Sequence, residues 1–211
     1  MKLAIVGDLH LGIKGGDPVF MDYQFKWIER FLTRCVIEQV DRIVQVGDAL
    51  DVRSNTNNLL LHRLYHDFIP LVEKSGIPWT FLVGNHNIFY RDQNKVHNLT
   101  ILKHRPDLFH IVEEFETVQW GGQRVDLCAW INKNNSTDIL GKIRDSKSKY
   151  LFGHFEPEGL PYYKGVMAES GLSLDLFGHY DNVFSGHYHT VSSHKNFLMC
   201  GSPYHLTWAD Q

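Results

Sequence analysis

Residues 3–10 of the chain read Leu-Ala-Ile-Val-Gly-Asp-Leu-His, a short apolar run followed by a glycine, an acid and, two residues on, a histidine. Residues 42–48, Arg-Ile-Val-Gln-Val-Gly-Asp, have the same form. Both runs predict buried strands that lead into loops at their carboxyl ends. Between them, apolar pairs recur every four residues from Trp27 to Val36, which predicts a helix of about five turns. The stretch therefore predicts a β-α-β unit.

The remainder of the chain predicts more strands and fewer helices. Strands are predicted at residues 79–83, 115–120, 124–130, 150–153, 182–185 and 197–200, and helices at residues 60–72, 136–144 and 172–177. The pair Gly121-Gly122 is a hairpin signal between two of these strands. We expect parallel β-α-β structure in the first half, more antiparallel sheet in the second, and a single mixed α/β domain over residues 1–211.

Bulk composition narrows the class of protein. The 211 residues are 43% hydrophobic, enough for a sizeable core, and carry a net charge of −3 at pH 7. The chain therefore lacks the global positive field of many nucleic-acid-binding proteins, and any contact with phosphates must be local. Its apolar runs are far shorter than the roughly 20 residues of a membrane span, and its first residues do not resemble a signal peptide, so we expect a cytoplasmic protein. Cys35, Cys128 and Cys200 are far apart in apolar surroundings, which predicts buried free thiols.

Seven potential metal ligands follow the predicted strands in order along the chain. They are Asp8, His10, Asp48, Asn85, His154, His187 and His189. Alternate residues of an extended segment face the same side, so Asp8 and His10 can converge on one ion, and His187 and His189 share that spacing. Each of these residues alone is compatible with an ordinary turn or a buried histidine. The ordered set predicts a centre for two divalent ions, and imidazole with carboxylate and no thiolate favours Mn²⁺, Fe²⁺ or Zn²⁺.

The residue types also predict the chemistry of such a centre. Asp48 is the candidate bridge, because one carboxylate can bind two cations. With Asp8 and Asp48 as the only anionic ligands, two divalent ions leave a net positive charge that suits an anionic phosphodiester. Ions about 3.5–4 Å apart can activate a shared water for attack at phosphorus. His86 suits a general acid through its near-neutral pKa, and we expect the Asp51 carboxylate to hold its ring.

The ordered motifs resemble those of the calcineurin-like metallophosphoesterase superfamily. The first motif, Gly7-Asp8-Leu9-His10-Leu11-Gly12, is similar to its DNA-repair nuclease branch of the SbcD type. Residues 47–53, 153–156 and 185–190 are similar to phage recombination endonuclease subunits, and the resemblance covers essentially the whole chain. It implies a four-layer αββα sandwich of two mixed β-sheets. It also implies an Mn²⁺-dependent DNA nuclease, both exonuclease and single-strand endonuclease, for recombination and double-strand-break repair.

The resemblance also assigns roles to residues. One ion would be held by Asp8, His10, Asp48 and His189, and the other by Asp48, Asn85, His154 and His187. His86 and Asp51 would be catalytic, and the substrate contacts would be Arg53, Tyr188 and Lys164. Mn²⁺ is the expected metal, with Mg²⁺, Fe²⁺ and Zn²⁺ as alternatives. The run Tyr162-Tyr163-Lys164 could stack on a nucleobase, although packing is the commoner role of such aromatic residues.

Partners and departures from the family pattern follow from the same resemblance. The expected partners are DNA, an SMC-like ABC ATPase of the SbcC type and a second copy of the chain, bound through residues 59–72 and the stretch after Asn87. The sequence ends at Gln211, where relatives continue into a capping domain and an ATPase-binding segment, so we expect those segments to be missing. If the chain is phage-encoded, its location is the host cytoplasm. Asn87 stands where the family has an acid, and we expect Asn87→Asp to raise the rate.

Two other functions remain open from the sequence. A phosphomonoesterase or nucleotide hydrolase of the same superfamily would share the metal centre and differ in the surrounding groove. A noncatalytic scaffold on the same fold would predict eroded ligands, whereas all seven are present.

Overall fold

A computed structural model of the chain, which describes residues 1–163, 165–207 and 210, contains two main β-sheets flanked by helices. The strands are β1 Leu3–Val6, β2 Arg42–Gln45, β3 Trp79–Leu82, β4 Phe109–Val112, β5 Phe115–Trp120, β6 Gln123–Cys128, β7 Tyr150–His154, β8 Pro161–Tyr163, β9 Val166–Met167, β10 Asn182–Gly186, β11 Ser192–His194 and β12 Phe197–Met199. The helices are α1 Ile13–Gly16, α2 Pro18–Ile37, α3 Asn58–Arg63, α4 Ile69–Ser75 and α5 Ser136–Asp145. None of the described helices is long and apolar enough to cross a membrane.

The first sheet has the order β1-β2-β3-β4 and is parallel throughout. Helices α2, α3 and α4 cover one of its faces, where Phe68 packs edge-on against Trp79 at a ring-centroid distance of 5.4 Å. The predicted β-α-β unit is therefore confirmed. We predicted that both sheets are mixed, but this sheet is wholly parallel. Every connection between its strands is a crossover that returns the chain in the same direction.

The second sheet has the order β11-β12-β10-β7-β6-β5 and is mixed. Its central strands β12, β10, β7 and β6 are parallel, while β5 and β11 pair antiparallel at its two edges. The predicted hairpin at Gly121-Gly122 joins β5 to β6, and both glycines have positive φ angles. Helix α5 and a 3₁₀ turn at Leu174–Phe177 pack on the outer face through Ile139, Ile143 and Phe177.

The two sheets pack face to face through a layer of apolar side chains. Its buried members are Val44, Val46, Leu82 and Val112 from the first sheet and Val125, Leu127 and Phe152 from the second. Helices on the outer face of each sheet complete four layers, so the expected αββα sandwich is confirmed. The three cysteines are free, as expected, with Cys35 and Cys128 buried and Cys200 half-buried.

Some elements differ from the sequence prediction. The helix expected at residues 60–72 begins at Asn58, where the Asn57 side chain caps it by accepting from Leu59 N at 2.7 Å. It passes through a π-helical turn at Leu64–Phe68 and continues to Ser75. Strands β4, β8, β9 and β11 are short and were not predicted from the sequence, because two to four residues give too little alternation to define a strand.

Candidate metal centre

All seven predicted ligands lie at the carboxyl ends of parallel strands, where side chains from the two sheets meet. Asp8 and His10 follow β1, Asp48 follows β2, Asn85 follows β3, His154 ends β7, and His187 and His189 follow β10. This edge of an α/β sheet is the usual place for a ligand site. The fold therefore brings together residues that are up to 181 positions apart in the sequence.

The first group of ligand atoms contains Asp8, His10, Asp48 and His189. One ligand atom from each of Asp8, His10 and Asp48 lies within 4.8 Å of the others. His10 Nε2 is 3.7 Å from Asp48 Oδ2 and 3.2 Å from His189 Nε2. Two imidazole nitrogens and a carboxylate oxygen thus converge, which suits a divalent cation.

The second group contains Asp48, Asn85, His154 and His187. His154 Nε2 is 3.3 Å from Asp48 Oδ2. The Asn85 side-chain amide lies 2.9 Å from His154 Nε2, 3.0 Å from His187 Nδ1 and 3.2 Å from Asp48 Oδ2. Asp48 therefore belongs to both groups, which is the position that a bridging carboxylate requires.

Hydrogen bonds to the outer ring nitrogens orient two of the histidines. His154 Nδ1 donates to the Val46 carbonyl at 2.8 Å, and His10 Nδ1 lies 2.9 Å from Asp51 Oδ1. Each contact turns Nε2 toward Asp48, where it can bind a metal ion after losing its proton, and such outer contacts are typical of metal-binding histidines. The donor chemistry and this orientation both fit a pair of divalent ions.

The backbone at the ligands is unusual for residues with a side chain. His10, Asp48 and His187 have φ angles of 42°, 56° and 100°. Such left-handed conformations are uncommon outside glycine and concentrate at functional sites. Gly84 is required for close approach, since a Cβ there would overlap the Asp48 side chain and backbone nitrogen.

Burial and mutual charge shift the pKa values of these ligands in the metal-free protein. Burial raises the pKa of Asp8 to about 7. Burial also acts to raise the pKa of Asp48, but the nearby His154 charge and hydrogen bond outweigh it and hold that pKa below its ordinary value. Burial acts to lower the pKa of His154, but Asp48 and Asp8 raise it to about 9. Burial lowers the pKa of His187 to about 3. The Asp48 and Asp8 carboxylates therefore favour the protonated, positively charged form of His154 when no metal is bound.

The contacts of His86 and Asp51 differ from the expectation. The Asp51 carboxylate bonds to His10, and its Oδ1 is 3.8 Å from His86 Nδ1. His86 Nδ1 instead donates to the Asp51 backbone carbonyl at 3.1 Å, and His86 N donates to Asp48 Oδ1 at 2.8 Å. The His86 side chain is 41% exposed. Asp51 thus contacts His10, a candidate metal ligand, through its carboxylate, and His86 through its backbone carbonyl.

Asn87 is fully buried and uses its whole side-chain amide. Its Oδ1 accepts from Asp48 N at 3.1 Å and from Gly84 N at 2.9 Å. Its Nδ2 donates to Leu50 O at 3.3 Å and to Asn98 Oδ1 at 3.1 Å. The neighbours therefore require both an acceptor and a donor, and an acid here would place a carboxylate oxygen against two acceptors. An aspartate at position 87 would lose these two donated hydrogen bonds, which argues against the expectation that Asn87→Asp raises the rate.

Two buried glutamines that support the ligand loops were not singled out from the sequence. Gln45 Nε2 donates to the Gly7 carbonyl at 3.1 Å, which ties β2 to the loop that carries Asp8. Gln24 Nε2 donates to the carbonyls of Leu9 and His10, both at 3.0 Å. Each glutamine is a polar residue within an otherwise apolar, buried stripe. That interruption was the sequence signal that could have identified them as supporting residues.

The three predicted substrate contacts have different surroundings. Arg53 Nη2 lies 3.3 Å from the Asn85 amide, beside the ligands. Tyr188 is buried, and its hydroxyl donates to the Pro157 carbonyl at 3.0 Å. Lys164 lies outside the described residues.

A groove of about 600 Å³ opens beside the ligands. Its walls include His86, His187 and His189 at one end and residues of the β8–β9 hairpin at the other. A substrate in the groove would therefore meet both the ligand cluster and His86.

Comparisons with known proteins identify the family of the chain. Residues 1–191 match the sequence profile of the calcineurin-like phosphoesterase family. The chain is 29% identical over 211 residues to exonuclease subunit 1 of Enterobacteria phage T4, and the match covers 100% of this chain and 62% of that relative. It is also similar to the crystal structure of a hypothetical protein from Thermus thermophilus, at 12% identity and TM-score 0.49, covering 96% of this chain and 75% of that one.

A protein of unknown function from Aquifex aeolicus is similar at 15% identity and TM-score 0.38, covering 73% of this chain and 80% of that one. The profile match spans most of the chain and includes every one of the seven ligand positions. The resemblance inferred from the motifs is thus confirmed, and the chain belongs to the calcineurin-like phosphoesterase family.

Proposed function

We propose that this chain is an Mn²⁺-dependent DNA nuclease that hydrolyses phosphodiester bonds at DNA ends, as an exonuclease and single-strand endonuclease, in recombination and double-strand-break repair. The observation that carries the proposal is the position of Asp48, whose carboxylate lies within reach of two separate groups of imidazole ligands. The similarity to a phage exonuclease subunit supports DNA as the substrate.

The donors divide into two sets that share Asp48. One ion would be held by Asp8, His10, Asp48 and His189, and the other by Asp48, Asn85, His154 and His187. Such a pair of ions supplies a nucleophile at neutral pH and neutralises negative charge on the phosphate. Asp51 fixes the His10 ring, and Asn87 fixes the loop of Asp48.

His86 is the residue that would donate a proton to the leaving oxygen. It lines the groove, and its Nδ1 is held by the Asp51 carbonyl, so Nε2 is the nitrogen that exchanges a proton with the substrate. Burial lowers the pKa of His86, against the opposing charge of Asp48, which makes its imidazolium a stronger acid. As the phosphorus–oxygen bond breaks, the leaving oxygen takes this proton and becomes a hydroxyl group.

Arg53 would bind the phosphate next to the ligands. Its guanidinium lies beside Asn85, and its Nε is buried with no hydrogen-bond partner among the described residues. The guanidinium carries a positive charge and several N–H donors next to the candidate ligands, which suits a phosphate oxygen. Arg53 thus supplies the local positive charge that the overall composition lacks.

A partner subunit and a second copy of the chain belong to the same proposal. The phage relative is named as one subunit of an exonuclease, which supports the existence of a partner subunit. We propose an SMC-like ABC ATPase of the SbcC type as that partner. Leu60, Leu64 and Phe68 are buried in the core, but Leu59, Tyr65, Phe89 and Tyr90 are 36%, 47%, 48% and 49% exposed. These exposed apolar side chains lie in the two segments expected to form the dimer interface, which supports a homodimer. We propose a cytoplasmic location for the complex, in the host cytoplasm if the chain is phage-encoded.

The test offers linear duplex DNA, single-stranded DNA and p-nitrophenyl phosphate to the wild type and His86→Ala, each with Mn²⁺ or EDTA. We expect DNA degradation that requires Mn²⁺ and is much slower in the variant. Degradation that needs neither metal nor His86 would contradict the mechanism. Fast phosphomonoester turnover without DNA cleavage would assign a phosphomonoesterase instead. Parallel reactions with Mg²⁺, Fe²⁺ and Zn²⁺ test the choice of manganese.

A further inference from the structure

We propose that the β8–β9 hairpin and Tyr188 form a stacking platform for an unpaired nucleobase beside the phosphate to be cleaved. This inference rests on the proposed nuclease function and adds the part of the substrate that is recognised. It assigns Tyr162 and Tyr163 as base-binding residues, and it predicts a preference for DNA ends with unpaired nucleotides.

Aromatic rings form a continuous series from the ligand cluster to solvent. The His187 ring is 5.2 Å from that of Tyr188, which is 6.0 Å from Tyr162, and Tyr162 is 4.6 Å from Tyr163. Tyr162 and Tyr163 are tilted by 51° to each other and are 36% and 42% exposed. Because they are not stacked face to face and remain exposed, their ring faces are available to a ligand.

The platform is held firmly at its base. The Tyr188 hydroxyl donates to the Pro157 carbonyl at 3.0 Å, which fixes the inner ring. Backbone bonds extend the hairpin toward the sheet, with Ala168 N to Leu160 O at 2.9 Å and Leu172 N to Glu156 O at 2.8 Å. A tyrosine side chain has few rotatable bonds, so it loses little conformational entropy on binding. Tyr162 and Tyr163 therefore suit recognition of a base.

The charge of the groove favours a base over a phosphate. Two of its described lining residues, Glu156 and Glu169, are acidic. Two carboxylates would repel the DNA backbone, whereas the uncharged face of a base meets aromatic and apolar groups such as Tyr162 and Met167, the latter 51% exposed. The phosphate would then lie toward the ligand cluster, and the base would lie on the hairpin.

A base can reach this platform only when it is unpaired. In a duplex each base is already stacked and paired, so its removal costs a few kcal/mol. A single-stranded or frayed end avoids that cost. We therefore expect the chain to bind and cleave such ends in preference to blunt duplex DNA, with the hairpin tyrosines supplying the difference.

The test uses single-stranded oligonucleotides with 2-aminopurine at the 5′ or the 3′ terminal position, because stacking quenches its fluorescence. Binding is measured with EDTA present, so that no cleavage occurs. The variants are Tyr162→Ala/Tyr163→Ala, the conservative Tyr162→Phe/Tyr163→Phe, and Tyr23→Ala as a control at an exposed tyrosine on helix α2.

We expect the wild type to quench one of the two probes, the alanine pair to bind it about tenfold more weakly, and the phenylalanine pair and Tyr23→Ala to match the wild type. In parallel, the ratio of Mn²⁺-dependent rates on single-stranded and blunt duplex DNA should fall in the alanine pair. No quenching by the wild type, or equal quenching by the alanine pair, overturns the proposal. Quenching without any cleavage contradicts only the nuclease function.

Discussion

The Asp51 carboxylate lies 2.9 Å from His10 Nδ1, while its backbone carbonyl accepts from His86 Nδ1 at 3.1 Å. One residue therefore orients both a candidate metal ligand and the candidate acid, through two different groups. Only the first of these contacts depends on the side chain, so substitution can separate them.

Replacement of Asp51 by alanine should weaken metal binding. The His10 ring loses its outer partner but the His86 contact to the backbone remains, and loss of such a partner typically costs about 10- to 100-fold in metal affinity. Calorimetric titration of the metal-free protein with Mn²⁺ measures this affinity. Asp145→Ala, at an exposed aspartate, is the control. An unchanged Mn²⁺ affinity together with a lower kcat would instead support the hypothesis that the Asp51 carboxylate orients the His86 ring.

Replacement of His86 by glutamine should lower kcat for DNA cleavage and leave metal binding intact. General acid catalysis contributes about 10²- to 10⁴-fold, and His86 is not one of the seven candidate ligands. The measurement is kcat together with the number of Mn²⁺ ions bound per chain, and His66→Gln, an exposed histidine, is the control. Loss of a bound ion in the His86 variant would identify it as a ligand.

Asn87→Asp should destabilise the protein and lower its activity. The new carboxylate oxygen would face Leu50 O and Asn98 Oδ1, which now accept from Asn87 Nδ2. Asn98 cannot turn its amide without losing its own bond to Val52 O at 3.0 Å. An unmatched buried polar contact of this kind costs about 1–3 kcal/mol. Urea unfolding in EDTA measures the loss, with the exposed Asn55→Asp as a matched control. A faster enzyme of unchanged stability would support the missing-acid hypothesis instead.

The metal-free protein should lose stability as the pH rises from about 6.5 to 9. Asp48 and Asp8 raise the pKa of His154 from 6.5 to about 9 against burial, so its proton stabilises the folded state fully below pH 6.5 and this contribution is lost through pH 9. The raised pKa of His10, promoted by Asp51 and Asp48 against burial, acts in the same direction. Mn²⁺ needs the deprotonated ligands, so its stabilising effect should grow over this range.

Thermal unfolding at several pH values, with EDTA and with Mn²⁺, checks this pH dependence. The melting temperature in EDTA should fall from pH 6.5 to pH 9, and the Mn²⁺-induced shift should increase. A melting temperature in EDTA that is level or rising over this interval is the contrary result.

The meeting of the seven candidate ligands at one site could be predicted from the sequence, because each one follows a local signal. An apolar run of four or five residues identifies a strand, and the parallel β-α-β pattern brings the carboxyl ends of such strands to one edge. Asp8 and Asp48 could be identified from the local sequence, without knowing which distant residues lie beside them. The αββα sandwich followed from the family resemblance, and the structure confirms it.

The supporting contacts could not be predicted in the same way. Asn87 depends on Asp48 and Asn98, at sequence separations of 39 and 11 residues. Asp51 and His86 are close, but which group of Asp51 meets the ring depends on the loop conformation and the side-chain rotamer. The β8–β9 hairpin has only three and two residues in its strands, too few for a periodic signal.

The most direct measurement of the central claim is anomalous X-ray scattering from crystals soaked in MnCl₂. We predict two manganese peaks about 3.5–4 Å apart, one on each side of the Asp48 carboxylate, with His10 and His189 at one peak and His154 and His187 at the other. A single peak, or peaks away from Asp48, would contradict the dinuclear centre.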